Sequence, residues 1–190
     1  MVGIPEVQNP RVAPKYVLAI DPGVSSGAVL LSVGFRPAIL WHAKHVLWTL
    51  RDSVPHYNSA RHTIDDALNC LKRELVIVDV TTIAGVVEDQ YVLFHGGAPV
   101  NARSNLGTSR AAGMWIEAWA AATGQSLALI PPGTWQGSEI GGRHKRAELD
   151  KICKAKAATL WPEVKLNVHE VSAAFIGRYA AISLAQGRLP

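Results

Sequence analysis

The chain has 190 residues, 48% of them hydrophobic, and a formal net charge of +4 at pH 7. That length and apolar content suit one domain with a real core and argue against an extended or low-complexity chain. The two cysteines, Cys70 and Cys153, form no Cys-x-x-Cys pair, which excludes a zinc ribbon or a dithiol redox motif, while the mild basic charge permits a nucleic-acid partner without requiring one.

Residues Met1 to Lys15, with Pro5, Pro10 and Pro14, predict a flexible leader, and residues 16–190 predict one domain. Three strand-like runs follow: Tyr16–Ile20, Ala28–Val33 and Ile39–Leu47. Together they read as an antiparallel meander. Ser59–Leu75 reads as a helix, because Ile64, Ala67, Leu68 and Leu71 recur at helical spacing. Asp65 and Asp66 are taken to lie in its first turns, where they favour the helix dipole. Ile83–Val87 reads as a buried strand that ends in Glu88, and Phe94–Ser104 as a loop. Leu106–Ala122 is an Ala-rich helix, Ser126–Ile130 a strand closed by Pro131-Pro132-Gly133, and Lys145–Leu160 a helix stopped by Pro162. Val168–Ala185 is a last apolar helix. A meander followed by strands alternating with helices predicts an α/β fold with a mixed sheet. No apolar run reaches membrane-spanning length, and the start lacks a signal-peptide pattern, so the expectation is a cytoplasmic protein with no membrane contact.

Four features carry chemistry. In Leu18-Ala19-Ile20-Asp21-Pro22-Gly23, an apolar run ends in one carboxylate ahead of a tight turn. Such a carboxylate either holds a divalent metal or merely starts the turn. Glu88 ends a second apolar run in the same way. At the start of the last helix, His169 and Ser172 are three residues apart and share a face. Glu170 points about 100° away from His169 and reads as a first-turn acid. The fourth feature is the basic loop Gly141-Gly142-Arg143-His144-Lys145-Arg146. Cations there oppose the dipole of the helix they open, which favours an anionic partner. Trp115 and Trp119, four apart on one helix, read as packing or dimer contacts.

In order and spacing these motifs resemble the RuvC-type Holliday-junction resolvases of the RNase H-like superfamily, the phage-encoded members especially, from about Tyr16 to about Ala185. Ile20-Asp21-Pro22-Gly23 with Gly27 is similar to the family's first-strand motif, and Val87-Glu88-Asp89-Gln90 to its second acidic motif. His169-Glu170-Val171-Ser172-Ala173-Ala174 is similar to its terminal metal-binding helix. The resemblance implies an RNase H-like fold with a mixed five-stranded sheet flanked by helices. It implies a magnesium-dependent endonuclease, with Mn2+ able to substitute, that cuts four-way and other branched DNA by two-metal hydrolysis. Asp21, Glu88 and His169 would hold the metals; His169 falls where some members use His and others Asp. Tyr91 would stack in the junction, its alternative being an ordinary strand-edge tyrosine. Arg103, Arg110, Arg143, Lys145 and Arg146 complete the implied DNA-binding set. Paired cuts need two sites, so a homodimer is expected, with Leu106–Ala122 as a candidate dimer face.

The departure is Ser172, where the family pattern has Asp. A neutral hydroxyl is a weak metal ligand, so Ser172 joins the catalytic set as the position that puts cleavage in doubt. The competing reading is a junction-binding protein with weakened or absent activity. A third resemblance, to the first phosphate loop of ATP-binding actin-like and sugar-kinase proteins, lacks a second Asp-x-Gly loop in the middle of the chain. No nucleotide cofactor is therefore expected.

Overall fold

The computed structural model describes residues 13–23, 25–46, 57–75, 79–89, 94–95, 98–99, 102–142 and 144–188. Strands β1 (Tyr16–Asp21), β2 (Ser25–Ser32) and β3 (Ile39–Val46) are followed by helix α1 (Tyr57–Leu75) and strand β4 (Ile83–Glu88). Next come the short strands β5 (Phe94–His95) and β6 (Ala98–Pro99), α2 (Ala102–Thr123) and β7 (Ala128–Ile130). Helices α3 (Pro132–Ile140), α4 (Arg146–Leu160) and α5 (Val168–Ala185) complete the chain.

The main sheet has the order β3-β2-β1-β4-β7. The first three strands pair antiparallel, whereas β1–β4 and β4–β7 are parallel. The meander and the mixed five-stranded sheet therefore stand as predicted. Burial of both sheet faces explains why β1 is apolar from Val17 to Ile20, with alternate residues entering opposite cores. Val17 and Ala19 enter one core with Trp135, Leu149 and Phe175 of α3, α4 and α5. Leu18 and Ile20 enter a second core on the opposite face, with Ile64 and Leu71 of α1 and Trp115 and Trp119 of α2. Both tryptophans are wholly buried there, so they pack and do not serve as exposed stacking platforms.

Several elements differ from expectation. Pro131-Pro132-Gly133 closes β7 at Ile130 as expected, but it also opens helix α3, which the sequence reading did not include. Proline is at home in the first helical positions, where its missing N–H would be unpaired anyway. Gly141, at φ 85°, ends that helix in the left-handed conformation. The segment read as a loop from Phe94 contains the β5–β6 ladder and the first turn of α2. Because α1 starts at Tyr57, Asp65 lies two turns inside the helix and pairs with Arg61 at 3.1 Å instead of facing the dipole. Residues 1–12 of the predicted leader lie outside the described residues.

Candidate metal and nucleic-acid site

Asp21 is the last residue of β1 and is 6% exposed. The parallel register Ile20↔Val87 brings Glu88 alongside it on the next strand, at an inter-strand spacing of about 4.8 Å. Val17, Ala19 and Val86 face the core of α3–α5, so alternation sends Asp21 and Glu88 to that same face. The Asp-Pro-Gly turn is locked by Ser26. Its hydroxyl accepts from the Gly23 N–H at 3.1 Å and donates to the Gly23 carbonyl at 2.9 Å. It also accepts from the Trp115 indole N–H at 3.2 Å, tying the turn to α2. The sequence reading missed Ser26; no local pattern marks a serine whose partner lies 89 residues away.

Helix α5 lands on this corner. Asn167 caps it, its side-chain oxygen accepting from the N–H groups of His169 at 3.0 Å and Glu170 at 3.2 Å. Glu170 returns the bond by accepting from the Asn167 N–H at 2.7 Å, which completes a capping box. Its other oxygen faces His42 Nδ1 of β3 at 2.9 Å. Glu170 is thus the first-turn acid expected, with a tertiary partner in addition. His169 turns the other way, and its Nδ1 lies 3.5 Å from Asp21 Oδ2. The approach depends on Gly27, the antiparallel partner of Asp21. A Cβ on Gly27 would lie 2.2 Å from the backbone carbonyl carbon and oxygen of His169.

The remaining two candidates are engaged elsewhere. Glu88 Oε1 accepts from the indole N–H of Trp135 on α3 at 2.8 Å. Ser172 is buried, and its hydroxyl donates to the Val168 carbonyl at 3.3 Å, a bond back into its own helix. It borders a cavity of about 280 Å³ between α4 and α5, shared with Asp150, Lys151 and Lys154.

Carboxylates at two strand tips with one imidazole are donors that suit a hard divalent cation. Among the described residues, no three His, Cys, Asp or Glu side chains converge tightly enough to hold one. Asp21 and His169 make the converged pair, and Glu88 is the next donor, held back by Trp135. In donor type the set suits one ion, although only Asp21 and His169 converge as placed. It falls short of two, because Ser172 brings no charge and its hydroxyl is taken.

Lys145 is the exposed N-cap of α4 and Arg146 its first residue, bonded to Asp150 at 3.0 Å. Asp150 borders the Ser172 cavity, so the basic start of α4 lies about one helical turn from that cavity. Arg110 is exposed on α2. Arg103 lies on α2 with its side chain outside the described part, and Tyr91 and Arg143 lie outside the described residues altogether.

A sheet of this order, with acids at the tips of β1 and β4 and a closing helix over them, defines a RuvC-like fold of the RNase H-like class. Thermus thermophilus RuvC in complex with a Holliday junction substrate superposes with a TM-score of 0.61 at 18% identity, over 91% of this chain and 96% of that one. A second Thermus thermophilus RuvC structure matches with a TM-score of 0.60 at 17% identity, over 90% and 96% of the two chains. No protein-family model matches this chain, and no curated protein sequence does. At these identities the likeness is one of fold.

Proposed function

We propose that this protein is a divalent-metal-dependent endonuclease of four-way and other branched DNA, working as a homodimer. The observation that carries the reading is the Asp21–His169 pair beside Glu88, at the sheet edge of a fold shared with a RuvC that is bound to a Holliday junction. The reaction is hydrolysis of a phosphodiester: water attacks phosphorus, the bond to the 3′ oxygen breaks, and a 5′-phosphate and a 3′-hydroxyl result. A bound Mg2+ or Mn2+ supplies a more acidic water and stabilises the charge that develops on the phosphate. Asp21 and His169 would hold that cation, with Glu88 as the third donor. An imidazole among the donors suits Mn2+ at least as well as Mg2+. Lys145, Arg146 and Arg110 would hold backbone phosphates and set the register of the strand.

A second reading is a junction binder with weakened or no cleavage. Ser172 favours it, since a buried hydroxyl bonded to Val168 leaves a two-metal site one carboxylate short. The test is a labelled synthetic four-way junction, with and without Mg2+ or Mn2+, beside a Ser172→Asp variant. Paired symmetric nicks by the parent protein support the endonuclease. A shifted junction that only the Ser172→Asp variant cuts supports the binder. Failure of both proteins to bind the junction overturns both readings.

A further inference from the structure

On the sheet face opposite α5, a groove of about 500 Å³ runs between β3 and α1, lined by Trp41, Asp66, Asn69, Lys72 and Arg73. Trp41 pairs with Leu30, packs partly on the α1–α2 core, and keeps part of its indole exposed. The four α1 residues share one side of that helix, spaced three or four apart. Lys72 and Arg73 have no acidic partner among the described residues. Two such cations in the last turn of α1 favour the helix dipole, but the dipole alone gives no reason for an aromatic facing them across a groove.

The groove is also polarised. From Asp66 to Arg73 the helix rises about 10 Å, with a carboxylate and an amide at one end and two cations at the other. That is roughly the span from a nucleobase edge to its phosphate. We propose that this groove is a second nucleic-acid site, which takes an unpaired nucleotide with its base stacked on Trp41 and its phosphate on Lys72 and Arg73. Stacking on an indole accepts any base, because every base has a π-face. Asn69 and Asp66 meet the polar edge of the base, and the Asp66 charge keeps phosphate at the far end.

The groove is distinct from the candidate metal site. Lys44 is the residue of β3 in register with Gly27 and, through it, with Asp21. Trp41 lies three residues before Lys44, about 10 Å back along the strand, and faces the other side of the sheet. The proposal stands whether or not the protein cuts junctions. The ligand chemistry has two sources, a single-stranded stretch of DNA or a free nucleotide.

The test uses the full chain with EDTA present, so that cleavage plays no part. An oligothymidylate carrying one 5-iododeoxyuridine is bound, irradiated, and its crosslinked peptide identified; dTMP is titrated separately. The expected result is a crosslink at Trp41 that survives Lys145→Ala. Lys72→Glu with Arg73→Glu, both exposed and remote from the cores, should weaken oligonucleotide binding at least tenfold. It should also lower the slope of log K against log salt by about 0.7, the value for one phosphate contact on a single strand. Trp41→Leu should weaken binding about fivefold or more. If dTMP binds as tightly as the oligonucleotide and shows the same sensitivity to the variants, the groove holds a free nucleotide. If no crosslink forms at Trp41 and the Lys72/Arg73 variant changes neither affinity nor slope for either probe, the proposal is overturned.

Discussion

His42 on β3 and Glu170 on α5 stand 128 residues apart in sequence and 2.9 Å apart in space. The buried Glu170 carboxylate divides its oxygens, one toward His42 and one toward the Asn167 cap. The third strand is thereby fastened to the helical turn that sets His169 over Asp21. Removing the imidazole with His42→Ala leaves a buried carboxylate oxygen without that partner. Such losses cost about 1–3 kcal/mol. Urea unfolding should show this destabilisation, with most of it recovered by His42→Gln, which keeps a side-chain donor. An unchanged urea midpoint in His42→Ala would mean the contact does not hold the helix.

Gly27→Ala probes the same junction from beneath. The added Cβ would meet backbone atoms of His169 at 2.2 Å, and a backbone cannot rotate out of the way as a side chain does. Overpacking of this kind costs about 3 kcal/mol. Gly34→Ala is the control, since nothing lies within 4 Å of its added Cβ. The Gly34 variant should unfold within about 0.5 kcal/mol of the parent. Equal stability of the two variants would show that α5 settles elsewhere without loss.

These two contacts also show where the sequence is legible and where it is silent. The ends of β1 and β4 are visible because an apolar run stops at a lone acid, Asp21 or Glu88. Helix α5 is visible at both ends, since apolar residues predominate from Val168 to Ala185. Period and punctuation are local signals. The need for Gly27 is not local: only the descent of His169 onto β2 makes a hydrogen the largest group that fits. The same holds for Ser26 with Trp115 and for His42 with Glu170. Helix α3 was hidden for a different reason. Pro-Pro-Gly is equally good chemistry for a turn and for a helix start, and nine residues carry too few periods to decide between them.

Glu139 on α3 gives a pH-dependent prediction. Burial pushes its carboxyl above the ordinary value of 4.5, and the neighbouring Arg178 and Lys156 offset only part of that rise. The folded state therefore binds this proton more tightly than the unfolded state does. The resulting stabilisation is complete below about pH 4.5 and is lost as the pH climbs through the raised folded value. A Glu139→Gln variant is neutral at every pH. The stability of the parent minus that of the variant, from urea unfolding between pH 4 and 8, should fall as pH rises through the window above 4.5. A difference that stays flat or rises would mean that Arg178 outweighs the burial.

The start of α4 sets up a graded test of DNA contact. Lys145 is exposed and has no acidic partner among the described residues, whereas the Arg146 guanidinium already binds Asp150 at 3.0 Å. A phosphate contact on duplex DNA contributes about 0.9 to the slope of log K against log salt. Lys145→Ala should therefore lower the slope for four-way junction binding, measured without divalent metal, by about 0.9. Arg146→Ala should lower it by less, because a phosphate must compete with Asp150 for the guanidinium. Asp150→Ala should tighten binding, by freeing Arg146 and removing a negative charge beside the Ser172 cavity. The ordering of the three variants carries the test. If Arg146→Ala matches Lys145→Ala and Asp150→Ala changes nothing, the Arg146–Asp150 pair does not persist in the complex. If none of the three moves the slope, the junction is held by another face of the protein.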